Sequence, residues 1–133
     1  MSWLFVSIVV LLIIYGLFQY FVVKWRSQLV SAADKKFFNQ HWQNILAEKD
    51  GRHQLILADK LLDQMLLRRG FQGSLGDKLK KAAKKFTQLN DLWTAHKLRN
   101  KIAHEVGFSL SESQRLSSIK AFKVAFKDLG LLN

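Results

Sequence analysis

The chain has 133 residues, no cysteine, no proline and a formal net charge of +11. That length holds one domain and an anchor rather than two domains, and the missing cysteines exclude disulfides and thiolate metal sites. All 21 Lys and Arg and all 10 Asp and Glu lie after residue 23, so the charge belongs to the later part, where it favours RNA, DNA or anionic lipid without choosing among them.

Residues Trp3 to Val23 read WLFVSIVVLLIIYGLFQYFVV. The stretch carries no charge, and Ser7, Gly16 and Gln19 are its only non-aromatic departures from strong apolarity. At ~1.5 Å per residue it spans roughly 30 Å, the thickness of a bilayer core. Trp3 at one end and Tyr20 and Trp25 at the other suit the two interfaces. A cleaved signal peptide fits less well, although Val30-Ser31-Ala32 offers a small-residue site. The apolar run is too long, the leading flank lacks Lys and Arg, and Lys24 and Arg26 intervene. A buried core helix is the weaker rival, because uniform apolarity of this length is rare in a small soluble domain. Lys24, Arg26, Lys35 and Lys36 all lie on the C-terminal side of the stretch, so the positive-inside bias places the C-terminal domain in the cytoplasm. The expected organisation is a transmembrane anchor over 1–23, a basic juxtamembrane segment over 24–32 and a cytoplasmic helical bundle over 33–130.

Beyond the anchor, helical spacing recurs. A first helix is expected from about Ala33, with Phe37, Phe38, Trp42, Ile45 and Leu46 on one face and Asp50-Gly51 as its stop. A second covers about Arg52 to Arg69, with Leu55, Ala58, Leu62, Met65 and Leu66 as its stripe and Gly70 at the C′ position. A third runs from about Asp77 to Leu89 and carries Leu79, Ala82, Ala83 and Phe86. Asn90 is the expected N-cap of a fourth, which reaches about Glu105. Ser111 to Gln114 form a capping-box pattern for a fifth. That helix bears Leu116, Ile119, Phe122, Val124, Ala125, Phe126 and Leu129 and closes at Gly130. Short connections make neighbouring helices antiparallel. The predicted fold is all-α, an antiparallel bundle of four to five helices behind one membrane helix. Phe38, Trp42, Phe86, Phe122 and Phe126 are expected in its core.

The segment His96-Lys97-Leu98-Arg99-Asn100-Lys101-Ile102-Ala103-His104-Glu105 carries the chemistry. On a helical wheel at about 100° per residue, Arg99 falls within the apolar arc of Leu92, Ala95, Leu98, Ile102 and Ala103. A guanidinium aimed into an apolar face needs a carboxylate or an open cleft, and Asp59 at the edge of the second helix's stripe is the candidate partner. His96, Asn100 and His104 form a separate polar stripe. Arg99 and His104 stand roughly 140° apart around an ideal helix, so they converge only near the helix end or across a seam between two copies. The alternative is structural: Arg99 paired with Asp59, and His104 capping the helix C-terminus.

Arg99-Asn100-Lys101-Ile102-Ala103-His104 resembles the signature of the HEPN superfamily, an Arg followed at once by a polar residue and, after a gap, a His. The resemblance covers about residues 33 to 130, a helical domain with the motif late in the chain and one helix behind it. It implies a HEPN-like bundle and, as for many members, a metal-independent endoribonuclease; other members bind without cutting. Carried over by position, Arg99 would stabilise charge on the scissile phosphate, Asn100 would orient the phosphate or the His, and His104 would be the acid or base. RNA brings its own nucleophile, the 2′-hydroxyl, so proton transfer and a preorganised cation suffice. One His104 per chain falls short of an acid–base pair, and the family builds its site across a homodimer seam. The rival reading is a non-catalytic, membrane-tethered module that binds RNA, a protein partner or anionic lipid.

Lys78, Lys80, Lys81, Lys84 and Lys85, with Arg68 and Arg69 before them and Lys97 and Lys101 on the fourth helix, are candidates to grip RNA phosphates or lipid headgroups. His41 and His53 stand alone and are read as surface or core residues rather than ligands. No cofactor and no metal is expected.

Overall fold

The computed structural model describes the backbone of residues 2–26 and 30–133, with side chains from Trp3 to Val22 and from Val30 onward. The side chains of Val23, Lys24, Trp25 and Arg26, and residues 27–29 of the expected juxtamembrane segment, therefore lie outside the described residues. Among the described residues the chain is entirely helical: α1 (Ser2–Arg26), α2 (Ala32–Ala47), α3 (Gly51–Arg68), α4 (Leu75–Lys81), a 3₁₀ turn (Ala83–Lys85), α5 (Leu89–His104) and α6 (Glu112–Asp128).

Helix α1 is long and apolar enough to cross a membrane over Trp3–Val22, and none of that span is buried against the rest of the chain. The hydroxyl of Ser7 is satisfied within the helix, since its Oγ donates to the Trp3 carbonyl at 2.8 Å. A polar group handled in this way needs no water.

Helices α2 to α6 form a bundle in which α3 packs against α2, α4, α5 and α6, and α5 also packs against α6. All five aromatics expected in the core are buried. Phe126 is the hub: its ring lies 4.8 Å from that of Phe38 and 5.2 Å edge-on from that of Trp42. Leu62, Met65 and Leu66 of α3 complete the contact without exposure. Three residues read as part of the apolar stripes are instead exposed: Leu46, Ala103 and Leu116.

The helix ends follow local rules. Ser31 caps α2 by accepting from Asp34 N at 3.0 Å. Asp34 in turn accepts from Arg68 Nη1 at 2.9 Å, and that guanidinium lies 3.9 Å over the Phe37 ring. Burial pushes the Asp34 carboxyl up, but the hydrogen bonds from Arg68 and Ser31 outweigh it and hold the group below its ordinary value. Gly70 (φ 88°) and Gly130 (φ 74°) close α3 and α6 in the left-handed conformation that glycine adopts without strain. In each case the residue beyond the glycine donates back to the last turn, Phe71 N to Leu66 O at 3.1 Å and Leu131 N to Phe126 O at 2.9 Å. Arg69 donates to the Leu129 carbonyl, tying the two ends together. Ser111 and Gln114 form the expected capping box of α6.

Three boundaries differ from the sequence expectation. Asp50 does not stop α2, which ends at Ala47; it opens α3 by accepting from Arg52 N at 2.9 Å. The expected third helix breaks after Lys81, because buried Phe86 needs an extended backbone (φ −102°, ψ 124°) to enter the core. Thr87 is then captured by Asp128 of α6, with its N–H at 2.8 Å from Oδ2. Asn90 is not an N-cap, since α5 begins at Leu89 and Asn90 uses its carbonyl to accept from Thr94 Oγ1 at 3.0 Å.

Candidate functional site

Helix α5 packs across α3 and brings Asp59 of α3 under His96, Arg99 and Asn100. Asp59 is 2% exposed, and each of its carboxylate oxygens has a partner. His96 Nδ1 lies 2.8 Å from Oδ1, and Arg99 Nε lies 3.1 Å from Oδ2. The arginine contact is an ion pair without the alignment of a directed hydrogen bond. Arg99 Nη1 donates to Asn100 Oδ1 at 3.0 Å. The Asn100 amide returns toward His96 Nε2 at 3.5 Å. Asp59, His96, Asn100 and Arg99 thus close a ring of polar contacts.

The ring is not sealed. Together with Ile56, Lys60, Asp63 and the Gly73–Gly76 turn, it lines an open cleft of about 710 Å³. The Arg99 side chain keeps 28% of its surface exposed, against 11% for His96. The Ser74 hydroxyl at the rim is committed to capping α4: it donates to Asp77 Oδ2 at 2.7 Å and accepts from Asp77 N. The Ser74 hydroxyl and the Ser74 backbone N–H, both donating to Asp77 Oδ2, hold the Asp77 carboxyl below its ordinary value. Asp63 is occupied by Lys78 Nζ at 2.7 Å. A buried carboxylate shared between an imidazole and a guanidinium fixes both groups. The guanidinium can then meet an anion with little reorganisation.

The expected residues divide. Asp59 partners Arg99 as the helical wheel implies, and Asn100 lies beside them. His104 does not join them: it is exposed at the last turn of α5, outside the cleft lining, and among the described residues nothing bonds to it. Its expected structural role as a cap is likewise absent, because the last turn closes through Glu105 N to Lys101 O. Lys78 leaves the basic surface, being 3% exposed and paired with Asp63. It shares the stripe of Leu75, Leu79 and Ala82, so the inward face of α4 carries it into the bundle. Lys81, Lys97 and Lys101 are exposed and Lys85 half-buried, and Lys81 Nζ donates to the Gln72 carbonyl at 2.8 Å. His41 and His53, read as isolated, bond to the Phe37 carbonyl and to Glu48 Oε2, each at 2.8 Å.

The residue missed in the sequence is His96. Its signal was present: Leu92, Ala95, His96 and Arg99 follow the spacing of one inward helix face. Grouping His96 with Asn100 and His104 by polarity concealed it. Among the described residues no group of three His, Asp or Glu is placed to hold a metal ion. Comparison with family models, curated proteins and solved structures gives no match for this chain.

Proposed function

We propose that the chain is a single-pass membrane protein with a HEPN-like bundle in the cytoplasm, and that a two-fold pair of bundles is a metal-independent endoribonuclease. The observation that carries this reading is the Arg99 guanidinium, held by Asp59 and Asn100 yet open to the cleft. A scissile phosphate seated there would place its developing charge on a preorganised cation. Asn100 would orient it, and His104 would transfer a proton near neutral pH. His104 lies outside the lining of its own cleft, so the reading requires a second copy to bring the imidazole to the seam. Anchoring both copies in one membrane raises their effective concentration.

One observation favours a second reading. Asp59 already compensates Arg99, an arrangement that suits a module that binds RNA without cutting it. The test is RNA incubated with the full chain in detergent micelles and EDTA, wild type beside His104→Ala. General acid–base catalysis contributes about 10²–10⁴-fold, so cleavage is expected to fall at least about 100-fold in the variant. RNA that is bound but intact with wild type would leave the second reading; equal cleavage by both proteins would remove His104 from the mechanism.

The uncovered apolar surface of α1 supports the membrane reading, and the basic residues on its C-terminal side support a cytoplasmic bundle. A reporter fused after Asn133 that works only in the cytoplasm is expected to be active, in a chain whose measured mass retains α1. Activity only of a reporter that works outside the cytoplasm would reverse the orientation. A mass lacking α1 would make that helix a signal sequence.

A further inference from the structure

We infer that His96 is the general base of this site, a role that rests on the ribonuclease reading above. Among the described residues it is the only imidazole lining the cleft. Asp59 Oδ1 can only accept, so the ring nitrogen facing it, Nδ1 at 2.8 Å, carries the proton. Nε2 is then left with its lone pair on the side of Asn100, and the Asn100 amide reaches it at only 3.5 Å. That nitrogen is an acceptor whose present partner is weak and displaceable. Two further contacts hold the ring in place. Trp93 meets it edge-on with centroids 5.9 Å apart, and the Asp59 carboxylate beneath it is itself fixed by Arg99.

These positions suit one half of a transesterification. With phosphate on Arg99, the 2′-hydroxyl proton passes to His96 Nε2 as the 2′-oxygen bonds to phosphorus. The bond from phosphorus to the 5′-oxygen breaks, and that oxygen takes a proton from the imidazolium of His104 in the second copy. The products are a 2′,3′-cyclic phosphate and a 5′-hydroxyl. His96 then holds the proton that His104 has lost, so charge balances across the pair of chains. The arrangement removes the shortage of one histidine per site: His96 serves from within the cleft and His104 from across the seam. Asp59 stabilises the imidazolium that forms at His96.

The experiment uses the full chain in detergent with EDTA and a short RNA, comparing wild type, His96→Ala, His96→Gln and His104→Ala. Cleavage, RNA affinity and thermal unfolding are each measured. Cleavage by wild type is expected to yield 2′,3′-cyclic ends. Both His96 variants are expected to lose about 100-fold or more of the rate, as loss of a general base does, with RNA affinity changed less than about threefold. Added imidazole is expected to restore cleavage to His96→Ala, following its unprotonated fraction as pH rises; a merely structural role would give no such rescue. His96→Gln keeps a donor for Asp59 but has no base, so a folded yet inactive His96→Gln secures the result if His96→Ala unfolds. Wild-type rates in both His96 variants, with His104→Ala inactive, would overturn the role of His96 and leave the ribonuclease standing. Wild-type protein that cleaves no RNA would overturn both.

Discussion

Replacing Asp59 by Ala is expected to destabilise the bundle by about 3 kcal/mol, the lower end of what removing one partner of a buried ion pair costs. The carboxylate is 2% exposed and serves two groups on α5. Its loss leaves His96 Nδ1 and Arg99 Nε without their partner where α3 packs against α5. The partial exposure of Arg99, 28% of its side chain, lets solvent recover part of the penalty, which is why the lower end applies. For a bundle of this size the shift in Tm is on the order of 10–20 °C. A double-mutant cycle separates pairing from packing. Arg99→Leu alone strands the carboxylate with only His96, whereas Asp59→Ala combined with Arg99→Leu removes the charge mismatch. The double variant is therefore expected to be more stable than the sum of the single losses implies. Strict additivity in thermal unfolding would show that the pair contributes no coupling.

Phe126→Ala is expected to cost about 3–5 kcal/mol, the range for emptying a fully enclosed aromatic site. The ring has no exposure and joins α6 to two rings of α2. The surrounding Leu62, Met65 and Leu66 are themselves enclosed, so collapse into the cavity is restricted. Leu116 on the same helix makes the comparison decisive. It belongs to the same apolar pattern in the sequence, yet is 55% exposed, and Leu116→Ala is expected to change stability by under about 0.5 kcal/mol. Chemical unfolding of both variants, followed by far-ultraviolet circular dichroism, checks the contrast. Equal losses would mean that α6 does not present the face described.

The same contrast explains what could be read from residues alone. Gly70, Gly130 and Ser111 were legible because each end is decided within about five residues. Phe38, Trp42 and Phe126 were legible because size and spacing together leave no other place for them. Asp50 was expected as a stop, but Asp-Gly both ends and begins helices, and its carboxylate takes the second use by accepting from Arg52 N. The break between α4 and α5 was invisible because what surrounds it is tertiary: Phe86 enters the core and Asp128 grips Thr87 across 41 positions. Arg99 and Asp59 were found from periodicity. Lys78 and His96 are harder to read although the same periodicity marks both, because a charge or an imidazole on an inward face is legible only once its partner, Asp63 or Asp59, is in place. His104 kept its motif spacing but not its expected neighbour: five positions along a helix turn a side chain away from the guanidinium, whatever the pattern suggests.

The dependence of the core on α6 also sets an order of events during synthesis. Helix α3 has its largest partners at α2, before it, and at α6, the last helix of the chain. Phe122, Phe126 and Leu129 are therefore made after α2 to α5, and the core stays open until they follow. Helix α1 precedes all of these elements in the chain. Until α6 follows, the rings of Phe38 and Trp42 lack their Phe126 partner, and a growing chain in that state is exposed to misassembly.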